Sequence, residues 1–121
     1  MTVRGWNMTN IMTNMTFELK TAIDQYLAAC EADYTRMSYA SMRQIRFILD
    51  PGRKFIRIWR QFDGESSRSC HAFVVLTHPK FRTGDLLKPA TWKAPAMNAA
   101  RGNVLEPSSY RAQWTGPEYL R

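Results

Sequence analysis

The run MRQIRFILDPGRKFIRIWRQF, Met42 through Phe62, decides the fold. Its two halves, Met42–Leu49 and Lys54–Phe62, are rich in Ile, Phe and Trp with arginines interleaved, the period-two pattern of half-buried strands. Between them stands Asp50-Pro51-Gly52-Arg53. Proline pre-sets φ for the first central position of a turn, and glycine accepts the positive φ of the second. The run therefore reads as an antiparallel hairpin turning at Pro51-Gly52. With Asp50 opposite Arg53, Phe47 faces Ile56 and Ile45 faces Ile58, which makes one continuous apolar face. The other face then pairs Ile48 with Phe55, Arg46 with Arg57 and Gln44 with Trp59. A one-residue slip would mix the two sets, which a sheet with a buried face does not tolerate.

Downstream, Asp63-Gly64-Glu65-Ser66 turns the chain into a third strand, Ser69–Thr77. Its run Ala72-Phe73-Val74-Val75-Leu76 is apolar on both faces, as a central strand requires. His78-Pro79 ends it, and Thr83-Gly84-Asp85 leads into a short fourth strand, Leu86–Lys88. Upstream, residues 17–37 read as a helix capped by Thr16. Leu19, Ile23, Tyr26, Leu27, Cys30, Tyr34 and Met37 recur at spacings of three and four and form its core stripe. Thr91–Arg101 suggests a short second helix, broken at Pro95 and closed by Gly102.

The fold class is α+β: one N-terminal helix packed on a three- to four-stranded antiparallel meander, with an irregular C-terminal tail rich in proline and aromatic residues. Residues 1–15, Met, Thr and Asn without a period, read as a mobile leader. Residues 16–104 read as a single domain, and 105–121 as a tail packed along it. Tyr110, Trp114 and Tyr119 are expected to be at least half buried, because three large rings are costly to leave in water.

The chain has 121 residues, 45% of them hydrophobic, and a net charge of +7. Residues 1–35 sum to −2, residues 36–101 to +9 and residues 102–121 to zero. A basic block of that kind draws polyanions, nucleic acid first among them. The outer hairpin face adds arginines interleaved with Phe55 and Trp59, the combination single-strand binders use, with charge on the backbone and rings on the bases. Arg46, Arg57 and Arg60 are expected to contact phosphates, with Phe55 and Trp59 stacking. Arg43, Arg53, Lys54, Lys88, Lys93 and Arg101 would extend the field. Two arginines facing each other repel, which an anion would offset. In the competing arrangement the tail covers this face, and Trp59 and Phe55 pack against Trp92 or Trp114.

No Gly-rich phosphate loop, CxxC pair or clustered carboxylates are present, so no enzymatic activity and no cofactor are expected. Cys70 and His71, adjacent in a strand, point to opposite faces and cannot share a metal, so no metal site is expected. Cys30 and Cys70 share no framework spacing and read as free thiols. No stretch approaches the ~18 apolar residues of a membrane span, and no secretion signal is evident.

The stretch Thr83-Gly84-Asp85-Leu86-Leu87-Lys88-Pro89-Ala90-Thr91-Trp92-Lys93-Ala94-Pro95-Ala96, with Ala100-Arg101-Gly102-Asn103-Val104, resembles a block in small uncharacterised proteins of tailed bacteriophages. The strands around Lys54–Ile58 and Cys70–Val74 are similar to that family's central portion, so the likeness spans roughly residues 53–104. It implies a viral origin and a host-cytoplasm setting, and attaches no known activity. The helix–strands–helix order is also similar to that of the double-stranded RNA-binding domain, whose lysine-rich final helix start has its nearest match at Lys88–Lys93. The expected function is a small, basic, non-enzymatic phage accessory protein that binds nucleic acid, DNA or RNA, through the basic and aromatic sheet face. The alternative is a protein-interaction module, a host-factor modulator or virion component, that uses the acidic helix or the aromatic tail.

Overall fold

The computed structural model describes residues 16–37 and 43–119. The leader expected over residues 1–15 and the strand start expected at Met42 lie outside the described residues.

Helix α1 spans Phe17–Met37, the range its periodicity predicts. Thr16 caps it: its hydroxyl oxygen accepts the Leu19 N–H at 3.0 Å, which satisfies one of the orphan donors of the first turn. Leu19, Ala22, Ile23, Tyr26, Cys30 and Tyr34 form the buried stripe. Met37, expected to extend it, is 66% exposed.

Four antiparallel strands follow in sequence order: β1 (Ile45–Pro51), β2 (Phe55–Phe62), β3 (Ser69–Val75) and β4 (Leu86–Leu87). The hairpin differs from its expected register. Asp50 pairs with Arg57, Ile48 with Trp59, Phe47 with Arg60 and Arg46 with Gln61. The Gly52 N–H donates to the Phe55 carbonyl at 2.8 Å, so the chain reverses at Arg53-Lys54, not at Pro51-Gly52. Pro51 sits in the ladder instead, where it is tolerated because β1 is an edge strand. The turn moves two residues along the chain and each residue's partner changes by four, an even number, so the side chains keep their expected faces. Ile45, Phe47, Ile56 and Ile58 still look toward the helix. The facing arginine pair does not exist.

Between β2 and β3 the register jumps: Ile58 pairs with Ala72 and Trp59 with Cys70, which leaves His71 as an extra residue. The bulge turns His71 toward the helix side, where it is buried against the Tyr26 ring.

The main core lies between α1 and the sheet, from Leu19, Ile23 and Tyr26 to Ile56, Ile58, Val74, Leu86 and Val104. A smaller one, Phe73, Val75 and Leu87, sits on the outer face with Phe55, Phe81 and Ala100 around it. The helix expected over Thr91–Arg101 does not form. Pro89 and Pro95 bridge each other instead, and the segment folds back so that the Arg101 N–H bonds the Leu86 carbonyl and the Leu86 N–H bonds the Gly102 carbonyl. Gly102 makes this return possible: at φ +130° a Cβ would lie 2.5 Å from the Ser109 carbonyl oxygen. Without a final helix, the order of elements departs from that of the double-stranded RNA-binding domain.

Residues 105–119 run back over the helix side. Tyr110 meets Tyr26 edge-on at 5.1 Å, and Trp114 meets Tyr34 at 5.2 Å. Tyr119, expected to be buried with them, is 77% exposed. Its ring carries the Lys88 ammonium, 4.0 Å from the centroid.

Candidate functional site

On the outer face β1 contributes Arg46, Ile48 and Asp50, and β2 contributes Arg57, Trp59 and Gln61. Trp59 is only 7% exposed. Its indole N–H donates to an Asp50 carboxylate oxygen at 3.1 Å. The Arg68 guanidinium lies 4.3 Å from its centroid and that of Arg57 5.2 Å. Trp92, 56% exposed, tilts against it with centroids 6.3 Å apart. Arg57 also reaches Trp92 and Phe73, each at 5.8 Å, and lies 3.6 Å from Asp50. Lys93 stands 5.4 Å over Trp92. Two indoles thus form a nucleus clothed in three cations, with Asp50 as its carboxylate.

The sequence-predicted residues divide between this site and the rest of the molecule. Arg46, Arg57 and Trp59 share the outer face. Phe55 is half-buried there against Phe73 and His78. Arg53 and Lys54 project at the hairpin tip, and Lys93 stands on the turn above the sheet. Arg60 lies on the opposite face, where it donates to the Trp114 carbonyl at 3.0 Å and burial lowers its pKa. Arg43 is paired with Glu65 at 2.8 Å. Lys88 donates to the Pro117 carbonyl at 2.8 Å. Arg101 holds the carbonyls of Ala99 and Glu118. Those four cations fasten the fold where they stand.

Trp59 also cannot serve as an open stacking surface, since Trp92 covers it, as the competing arrangement anticipated for these two residues. The cover comes from the 89–96 turn rather than from the tail. Sequence reasoning passed over Arg68 and the site role of Trp92. The symmetric Pro89 and Pro95 around Trp92 were the available signal for a rigid turn with an indole at its tip.

Tyr26, Cys30 and His71 are sealed on the helix side. Tyr26 Oη and His71 Nε2 share a hydrogen bond of 2.9 Å, with Cys30 Sγ at 3.7 Å from the same nitrogen. Burial, followed by the positive charge of Arg60, pushes the His71 pKa down to about 3. Burial pushes the Cys30 thiol up to about 12 and the Cys70 thiol up to about 11. Both cysteines are free and thiol-form at neutral pH, hence poor nucleophiles. Among the described residues no three His, Cys, Asp or Glu side chains gather as a metal site, and no helix is long and apolar enough to cross a membrane.

The chain matches a family of unknown function (DUF7717) over residues 5–120 and belongs to that family. No curated protein and no solved structure matches it.

Proposed function

We propose that this chain is a small, non-enzymatic nucleic-acid-binding protein whose contact surface is the outer sheet face around Trp59 and Trp92. One observation carries the reading. Arg46, Arg53, Lys54, Arg68 and Lys93 are all exposed and make no ion pair among the described residues. Asp50, the acid on this face, is engaged by Arg57 and Trp59. Crowded cations repel one another, and a phosphate backbone relieves that repulsion while releasing its own counterions. A phage accessory role in the host cytoplasm belongs to the same proposal, as does the division into a domain over 16–104 and a tail over 105–121.

The test is the salt dependence of binding, read by fluorescence anisotropy on labelled single-stranded DNA, duplex DNA and RNA. Log affinity should fall linearly with log salt, by about 0.7 per phosphate contact on single strands and about 0.9 on duplex DNA. Replacing Arg46, Arg68 and Lys93 together by Gln should flatten the single-strand slope by roughly two units. Absence of binding to all three at low salt and micromolar protein would refute the proposal.

A protein-interaction role is the second reading. It is favoured by the apolar groove that Phe17, Ala22, Val104, Leu105 and Pro107 line beside the start of α1. Phe17 is 87% exposed there, and an apolar ring in water on a helix end suits a protein partner.

A further inference from the structure

We infer that Trp92 is the base-stacking platform of this surface, so that the nucleic acid it takes is single-stranded; the inference rests on the nucleic-acid reading above. Residues 90–94 form a tight turn. The N–H groups of Ala90 and Thr91 both donate to the Ala94 carbonyl, at 3.0 and 3.1 Å, and the Lys93 N–H donates to the Thr91 hydroxyl oxygen at 3.1 Å. At the base of the turn Pro89 and Pro95 bridge each other, and the Ala96 N–H donates to the Lys88 carbonyl at 2.7 Å. Two fixed φ angles and four hydrogen bonds hold the tip in place before any ligand arrives, which lowers the ordering cost of binding.

Trp92 stands at that tip, with all five turn residues exposed. Trp59 and Arg57 pack against the ring from the sheet, yet 56% of the residue stays in contact with solvent. Leaving that much indole in water on a rigid turn is costly unless a partner covers it. The partner must be flat, to lie on an indole, and anionic, to sit among Arg68, Lys93 and Arg57. A nucleobase on its phosphodiester strand has both properties. Duplex DNA hides its base faces inside the stack, so an indole held on a turn reaches them only in single strands. Trp59, nearly buried, then acts as the support on which Trp92 is mounted.

The experiment compares a labelled 15-nucleotide oligothymidylate with an abasic strand of equal length, which keeps the phosphates and lacks the bases. Wild-type protein should favour the oligothymidylate by about five- to 150-fold, the worth of one stacked base. Trp92→Ala should bring that ratio close to one, and Trp92→Phe should restore most of it. Circular dichroism of each variant checks that the fold is retained. Equal affinity for the two strands in the wild type, or a preference that survives Trp92→Ala, overturns the inference and leaves the broader nucleic-acid reading standing. Binding to neither strand nor to duplex overturns both.

Discussion

His71 reaches the helix side of the sheet because β3 carries one residue more than β2 at that point, and it is held there neutral. Its ordinary pKa is 6.5 and burial takes it to about 3. Above pH 6.5 the imidazole is neutral whether the chain is folded or not, and the stability it contributes is complete. As pH falls from 6.5 toward 3, the unfolded chain takes up a proton that the folded chain refuses, and stability is lost progressively. By pH 5 the loss should be about 2 kcal/mol, at about 1.4 kcal/mol per pH unit. Urea unfolding near pH 7.5 and near pH 5 will measure it. His71→Gln should start less stable, having lost its ring packing, but should lose much less on acidification. A variant with the wild-type pH dependence would assign that dependence to the carboxylates instead.

At the scale of elements, α1 was legible to the residue because a long amphipathic period and a Thr cap point the same way. The hairpin was legible in its faces but not in its register. Pro51-Gly52 carries the stronger local turn chemistry, yet the turn lies two residues further along the chain, closed between Gly52 and Phe55. Tertiary packing of Ile45, Phe47, Ile56 and Ile58 is satisfied by either register, so the sequence pattern alone does not choose between them. Over Thr91–Arg101, small residues and a closing glycine resemble a helix end, whereas Pro89 and Pro95 form a bridged turn. The candidate site was read in part. Arg46, Arg57 and Lys93 stand in it, while Arg60, Lys88 and Arg101 are consumed by backbone carbonyls, which no pattern of charges in a sequence reveals. The C-terminal segment supplies a direct test of packing. Removing residues after Val104 strips Tyr110 from Tyr26 and Trp114 from Tyr34. Rings of that size are worth several kcal/mol together, so the melting temperature should fall by more than about 10 °C. Tyr119→Ala, at an exposed ring, should change stability by less than about 1 kcal/mol. A truncated chain that melts like the full one would mean the contacts contribute nothing.

Over the whole molecule, charge is uneven: cations without an ion pair stand on and around the outer sheet face, while α1 carries four carboxylates against Lys20 and Arg36. Asp50 is the exception, a carboxylate among the cations that neutralises Arg57. Asp50→Asn should therefore strengthen binding to a single strand at low salt by about three- to tenfold, and steepen the salt slope by up to about 0.7, the value of one further phosphate contact. Unchanged affinity in the same anisotropy assay would place Arg57 outside the contact surface. A second property belongs to the chain as a whole. The Trp114 N–H donates to an Asp33 carboxylate oxygen at 3.0 Å across 81 residues of sequence. A helix and a hairpin each form within microseconds, but neither seals the surface around Tyr26 and Tyr34. That waits for two distant stretches of chain to meet, and the entropy of closing so long a loop comes before any of its contacts are made. Refolding should accordingly be slow for a protein of this length, in milliseconds to seconds.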